Sequence, residues 1–159
     1  MSQEQEIVDK LYARFPSMKD KAVITRPRRI FADAAVAEFP DIFQYAVKEL
    51  DFSMLCTITG LDLGAALAAE YHLARTDGIV LNITVSLDRQ NPVLQTVTAN
   101  FPAADAYERE MVDLLGIQVS GLGEGHRYPL PDGWPEGVYP LRKDCDLSKL
   151  PTPKKEQEP

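Results

Sequence analysis

Two glutamates and a histidine are the side chains in this sequence whose types best suit acid–base chemistry. Glu108 and Glu110 stand in the run Tyr-Glu-Arg-Glu, and His126 closes a glycine-rich stretch. Carboxylate and imidazole groups can move protons when they converge on a substrate. Residues two apart on a helix, however, point about 200° away from each other. The spacing therefore argues against direct catalysis by the glutamate pair and favours a solvated charged surface.

The helix that carries these glutamates is predicted over residues 103–115. Its apolar residues fall within about 100° on a helical wheel, which predicts the face packed on a sheet. Arg109 and Asp113 lie four apart on the opposite face, where they can pair. Glu108 and Glu110 lie on the two flanks, and Gly116 ends the helix. The predicted sheet-facing residues are Ala104, Tyr107, Met111, Leu114 and Leu115.

The glycine-rich stretch at 121–126 does not match a dinucleotide-binding loop. Its spacing is G-x-G-x-G, and it follows a predicted helix, whereas the fingerprint G-x-G-x-x-G follows a strand. The histidines, His72 and His126, and the cysteines, Cys56 and Cys145, are widely spaced, so no metal or cluster site is predicted. His72 is expected to have a structural role on a strand. The expectation is that this chain carries no cofactor.

Composition limits the classes of partner. The 159 residues suit one domain, and a formal charge of −7 opposes general binding to nucleic acid or anionic lipid. The N-terminus is acidic and polar, unlike a signal peptide, and no run approaches the roughly 18 apolar residues of a membrane helix. A cytoplasmic location is expected, with membrane association only through partner subunits.

The upstream sequence predicts an α+β fold: a mixed β-sheet with helices packed on one face. Asp77-Gly78 between two apolar segments predicts a hairpin, and alternating apolar residues over 79–87 predict a strand with one buried face. Helices are predicted at 4–14 and from Pro40 to Leu50. The predicted strands are 23–25, 30–36, 54–58, 67–74, 79–87 and 94–98.

The character of the sequence changes after Gly116. Seven of the twelve prolines and six of the nine glycines follow residue 115, so regular structure is not expected there. The predicted organisation is an α+β domain at 1–120, an extended partner-docking arm at 121–150 and a disordered tail at 151–159. Trp134 and Tyr139 are apolar anchors of the interface type, and Arg142 offers a planar fork for a carboxylate. The pattern alone leaves open whether the arm folds onto its own domain or onto a partner.

Two motifs together resemble a known family. One is Tyr-Glu-Arg-Glu-Met-Val-Asp-Leu-Leu-Gly-Ile at 107–117, followed by Gly125-His126; the other is Pro-Leu-Arg-Lys-Asp at 140–144. The combination resembles the 30 kDa subunit of respiratory complex I, most strongly over 94–145. The family includes counterparts in energy-converting, membrane-bound nickel–iron hydrogenases and formate hydrogenlyases. Val119 replaces the family's usual phenylalanine, residues 120–124 intervene before His126, and the form of 134–144 is closer to the hydrogenase branch.

The resemblance implies a cofactor-free structural subunit in the peripheral arm of an energy-converting hydrogenase, on the cytoplasmic side of the membrane. Its partners would be a catalytic large subunit with a nickel–iron centre and a small subunit with an iron–sulfur cluster. The family-motif residues would then serve the fold and the interfaces with these partners, where ion pairs fix register. These residues are Tyr107, Glu108, Arg109, Glu110, Asp113, Gly116, His126, Trp134, Tyr139, Pro140, Leu141, Arg142, Lys143 and Asp144.

Three alternatives stay open at this stage. The chain could be the 30 kDa-type subunit of an NADH- or ferredoxin-linked quinone oxidoreductase. It could instead be a small stand-alone enzyme that uses Glu108 or His126 as acid or base. A free regulatory binding module is the third.

Overall fold

The computed structural model describes residues 2–146, 148 and 150 of the chain. The α-helices are α1 (Gln3–Arg14), α2 (Phe39–Lys48) and α3 (Ala104–Leu115), and a short 3-10 helix spans Pro16–Met18. The strands are β1 (Ala22–Arg26), β2 (Arg29–Ala34), β3 (Met54–Asp62), β4 (Ala66–Ala74), β5 (Val80–Asp88), β6 (Val93–Gln95) and β7 (Gln118–Ser120).

The main sheet has the order β1-β2-β5-β4-β3. β2 and β5 run parallel, whereas the other neighbouring pairs are antiparallel. This arrangement confirms the predicted α+β class with a mixed sheet. The strict alternation of apolar residues in β5 has the predicted effect, because Leu81, Ile83, Val85 and Leu87 are all buried.

The helices cover one face of this sheet. Tyr71 of β4 packs against Phe39 and Phe43 of α2, with ring centroids 4.6 and 5.5 Å away. Ile58, directly opposite Tyr71 in β3, shares that face, and so does Gly60, which lies against α3. α1 joins the same layer because Phe15, which follows it, meets an aromatic ring of α2 edge-on. The opposite face of the sheet is polar, with Glu70, His72, Thr84 and Ser86.

The predicted strand at 94–98 was wrong in its extent. β6 covers Val93–Gln95 and pairs in parallel with β7, outside the main sheet. The expectation of no regular structure beyond Gly116 was also wrong, because β7 begins two residues after that glycine. A strand of three residues is too short to show a two-residue period, and its partner lies across a helix in sequence.

α3 approaches the sheet closely where β3 lacks a side chain. A Cβ atom at Gly60 would meet the side chains of Leu115 and Met111, and both of these residues are only 2% exposed. Ala104 of the same helix is fully buried. Tyr107 and Leu114, predicted on the sheet-facing side, are only half-buried because α3 lies near the edge of the sheet, over β3.

Within the part of the chain that the structure describes, every helix is too short or too polar to cross a lipid bilayer.

We expect Met111→Asp to unfold the domain. The substitution would place a carboxylate against β3 at a position that is 2% exposed, where the charge loses its hydration. Ala106→Asp is the matched control, since Ala106 is exposed on the same helix near its N-terminus, where a negative charge is favourable. Circular dichroism on thermal unfolding would compare the two. A cooperative transition of Met111→Asp close to that of the wild type would contradict this packing of α3.

Candidate functional site

The family-motif residues gather where the arm, here residues 121–146, meets the end of α3. The N–H of Leu141 donates to the carbonyl of Leu114 at 3.1 Å. The guanidinium Nε of Arg142 donates to the carbonyl of Leu115 at 2.6 Å. The last carbonyls of a helix have no partner within it, so these two bonds satisfy groups that the helix leaves free. The arm therefore folds onto its own domain, one of the two arrangements that the sequence pattern allowed.

Gly116 makes this arrangement possible in two ways. It ends α3 in the left-handed conformation, with φ of 68°, and its N–H bonds back to the last turn. The ring of Tyr139 occupies the space that a Cβ on this residue would need. The guanidinium carbon of Arg142 in turn lies 4.6 Å from the centre of the Tyr139 ring, in cation–π contact.

Asp113 connects α3 to the middle of the arm. Its carboxylate accepts from Nε of Arg127 at 3.0 Å and from the N–H of Leu130 at 3.1 Å, and the residue is 6% exposed. Arg127 also donates to the carbonyl of Trp134, whose indole N–H donates to the carbonyl of Val138. Because it is largely removed from water, this ion pair fixes the position of the arm more firmly than a surface pair would.

The predicted pairing of Arg109 with Asp113 was wrong. Arg109 instead holds Asp105 with two bonds, of 2.7 and 3.0 Å, and donates to the carbonyl of Gly123 at 2.8 Å. Both aspartates lie four residues from Arg109, so spacing alone did not distinguish them. The structure distinguishes them, because Asp113 faces the arm and forms its ion pair with Arg127.

A second cluster fixes the end of the arm to the β-sheet. Asp62 accepts from Arg89 at 2.7 Å and from the N–H of Lys143 at 2.8 Å, and its side chain is only 2% exposed. Arg89 also pairs with Asp144 at 2.9 Å. The Arg89 guanidinium is the first cause that holds the pKa of both carboxyl groups below the usual range, and the Lys143 N–H lowers the pKa of Asp62 further.

Glu108 is fully buried, and its predicted place on a solvated flank of the helix was wrong. Its carboxylate accepts from the hydroxyl of Thr96 at 2.6 Å and from the N–H of Val97 at 2.8 Å, tying α3 to the segment after β6. A helical wheel places residues by polarity alone and cannot show hydrogen bonds to other segments. A carboxylate can be buried when it accepts such bonds, as Glu108 does here. Burial raises the pKa of Glu108, while the bonds from Thr96 and Val97 oppose that rise.

The remaining motif residues are more accessible. Glu110, His126, Leu141, Lys143 and Asp144 are exposed. Tyr107 is half-buried, and its hydroxyl reaches the carbonyl of Cys56 at 3.4 Å, while Pro140 is half-buried beside Tyr139 in sequence.

This distribution has a chemical consequence. Glu108 is closed to any substrate, so it cannot form a convergent acid–base set with the exposed groups. Among residues 2–146, 148 and 150, no three histidine, cysteine or carboxylate side chains form a group that could hold a metal ion.

Several residues that hold the site together were missed by sequence reasoning. They are Asp62, Arg89, Thr96, Asp105 and Arg127. Only Asp105 offered a usable signal, through its i, i+4 spacing to Arg109. Asp62 is 81 residues from Lys143, and no local pattern reports a contact over that distance.

Comparison with solved structures defines the class of domain. A chain of the membrane-bound sulfane sulfur reductase (MBS), described as an archaeal respiratory membrane complex, has the same fold with a TM-score of 0.80. It is 25% identical, and the match covers 99% of this chain and 97% of that one. A trypsin-resistant fragment of Nqo5 shares the fold at a TM-score of 0.65 and 22% identity, over 76% of this chain and 98% of that one.

Sequence comparison gives the family. The C subunit of the F(420)H(2) dehydrogenase of Methanosarcina mazei is 33% identical over 143 residues, 88% of this chain and 90% of the relative. Membrane-bound hydrogenase subunit beta of Pyrococcus furiosus is 29% identical, over 91% of this chain and 87% of the relative. The family model for the respiratory-chain NADH dehydrogenase 30 Kd subunit matches residues 32–151. The chain belongs to this family, which confirms the resemblance seen in its motifs.

We expect the Glu108 carboxyl to lower stability as pH rises. Since its pKa is raised in the folded chain, the unfolded chain releases its proton first, starting near the ordinary glutamate pKa of about 4.3. Above that pH the folded state is penalised progressively, until the pH exceeds the raised value. Urea unfolding at stepped pH should show the stability of the wild type falling relative to Glu108→Gln, by at most about 1.4 kcal/mol per pH unit. If the stability of the wild type relative to Glu108→Gln stayed constant or rose with pH, burial of this carboxyl would be contradicted.

We expect Gly116→Ala to cost more stability than Gly64→Ala. Both glycines have positive φ, of 68° and 86°, so both variants carry left-handed strain of about 1–3 kcal/mol. Only at Gly116 does the new methyl group also collide with Tyr139, whereas nothing lies within 4 Å at Gly64. Chemical denaturation of both variants gives the difference, which we expect to exceed about 1 kcal/mol. Equal losses would mean that Tyr139 does not pack on Gly116.

Acid should release the end of the arm. The lowered pKa values of Asp62 and Asp144 mean that their contribution to stability is present above the ordinary aspartate pKa of about 3.9 and is lost as pH falls below it. The N–H of Lys143 donates to Asp62, so its amide resonance reports on this end of the arm in an acid titration followed by nuclear magnetic resonance. Arg89→Met should shift this acid transition to higher pH or abolish it. Identical acid profiles for wild type and Arg89→Met would contradict the role of this cluster.

Proposed function

We propose that this chain is a non-catalytic structural subunit in the peripheral part of a membrane-bound oxidoreductase complex. The observation that carries the proposal is the use of the family-motif side chains. Glu108 binds the segment after β6, Asp113 binds the arm, and Arg142 binds the end of α3. The exposed motif residues lie beside these three. Such an arrangement builds a surface for other subunits, and among the described residues it does not bring these acid–base groups together on a small substrate.

The assembly that we propose first is an energy-converting nickel–iron hydrogenase. The likeness to the membrane-bound hydrogenase subunit beta supports it, since it extends over 91% of this chain. The chain would brace a catalytic large subunit with a nickel–iron centre and a small subunit with an iron–sulfur cluster. It would lie on the cytoplasmic side of the membrane and hold no cofactor itself, while the complex as a whole couples electron transfer to ion translocation.

A dehydrogenase assembly is the second candidate. It is favoured by the 33% identity to the F(420)H(2) dehydrogenase relative and by the 32% identity to the C subunit of the NADH-quinone oxidoreductase of Moorella thermoacetica. In both candidates this chain has the same structural role. They differ in the large subunit on which it packs.

The exposed motif residues are the proposed contacts with partners. Glu110, His126, Leu141 and Lys143 are accessible along α3 and the arm. The division into a domain at 1–120 and a partner-docking arm at 121–150 stays a proposal, in which the arm reaches partners from its place on the domain. The tail proposed at 151–159 lies outside the described residues.

A tagged pull-down from solubilised membranes, with mass spectrometry and metal analysis, tests the proposal. Co-purified large and small subunits with nickel and iron would support the hydrogenase assembly. Iron without nickel, together with dehydrogenase subunits, would support the second candidate. Turnover by the isolated chain that is lost in His126→Gln would contradict a purely structural role.

We expect Trp134→Ala to weaken assembly more than it destabilises the domain. Among the described residues the indole N–H donates to Val138, within the arm, so its loss should leave the sheet and α3 intact. If the ring is a buried anchor in the complex, its removal costs about 2 kcal/mol or more of binding, roughly 30-fold. Trp134→Phe keeps an apolar ring, so its loss of binding should lie between that of the wild type and that of Trp134→Ala. Quantitative co-purification and thermal unfolding check this, and an equal loss in both would assign Trp134 to the chain's own core.

A further inference from the structure

β3 is an edge strand of the main sheet, with one side free of any neighbouring strand. In the turn to β4, the N–H of Leu63 donates to the carbonyl of Ala66. Hydrogen-bonded and non-hydrogen-bonded pairs alternate along an antiparallel ladder. The backbone groups of Leu61 and Thr59 therefore face β4. Those of Ile58 and Gly60 point out of the sheet, toward the free edge.

Among the residues that the structure describes, contacts lie at both ends of this edge but not at its centre. At one end, the hydroxyl of Tyr107 reaches the carbonyl of Cys56. At the other end, the backbone of Lys143 is bound to Asp62. Between them lies a window at residues 57–61, roughly 17 Å long at about 3.4 Å per residue. Within the described residues, no backbone group outside the sheet pairs with Ile58 or Gly60.

The window opens into a groove between β3 and α3. Met111, Leu114 and Leu141 give the groove an apolar wall, and Leu141 is 57% exposed. Glu110 is the charged side chain that lines it, and it makes no ion pair with the described residues. An extended segment could hydrogen-bond to the free backbone groups of β3, pack an apolar side chain against the apolar wall and place a positive charge beside Glu110.

We propose that the window at 57–61 receives a short extended segment of a partner subunit by strand addition. The segment carries a lysine or arginine opposite Glu110 and an apolar side chain against Leu114 and Leu141. This inference rests on the proposed function as a subunit. A second copy of the chain fits poorly, since two such grooves would bring one Glu110 toward another, and each chain has a formal charge of −7.

Residue-resolved amide hydrogen exchange tests the strand addition, on the isolated full-length chain and on the complex purified from membranes. We expect the Ile58 and Gly60 amides to exchange at least tenfold more slowly in the complex. The Thr59 and Leu61 amides, already bound to β4, should change little and serve as the internal control.

The outcomes separate this inference from the proposed function. Co-purified subunits together with unchanged exchange at Ile58 and Gly60 would overturn the strand addition alone. A chain that never co-purifies with other subunits would overturn both. Slow exchange at these two amides in a dimer of the isolated chain would make a second copy the occupant and also overturn the inference.

A charge reversal tests the basic residue of the partner. Glu110→Lys should reduce the yield of co-purified partner at least tenfold, and Glu110→Gln should reduce it less. Glu49→Lys is the matched control, because it makes the same charge change on an exposed residue at the end of α2. Circular dichroism would verify that each variant folds. Equal yields from Glu110→Lys and Glu49→Lys would overturn the assignment.

Discussion

The rest of the site depends on the hydrogen bonds between the arm and the end of α3. A helix ends with carbonyl groups that have no partner, and here Leu141 and Arg142 supply donors to Leu114 and Leu115. Gly116 lets the chain turn away in a left-handed conformation and leaves room for Tyr139. Because these contacts lie at one point, the proline-rich arm returns to the domain and brings its motif residues beside α3.

Two charged groups then fix the arm at separate places. Asp113 holds its middle through Arg127, and Asp62 holds its end through the backbone of Lys143 and through Arg89 and Asp144. The side chains of both aspartates are nearly buried, so removal of either partner cation would leave an unpaired carboxylate and destabilise the folded chain. The stretch from Gly121 to Asp144 thereby becomes a continuation of the domain surface. A surface fixed in this way limits the entropy lost on binding, which suits the structural role that we propose for this chain.

The sequence was sufficient to predict the strands of the main sheet, the three α-helices and the α+β class, because alternation in β5 and the helical periods of α2 and α3 are strong local signals. The same reasoning failed for Glu108 and Asp113. Their burial depends on donors from Thr96, Val97 and Arg127, which folding brings close, and a helical wheel contains no such information. The short strand β7 escaped prediction for a related reason, since only its pairing with β6 defines it.

The position of the arm in the isolated chain is the most direct test of this account, and nuclear magnetic resonance can measure it. The docked arm predicts nuclear Overhauser contacts between the ring of Tyr139 and the α-protons of Gly116, together with an upfield ring-current shift of those protons. Contacts from Leu141 to Leu114 should accompany them. Random-coil shifts throughout 121–146, without any contact to α3, would contradict the account, because the arm would then be free until a partner binds it.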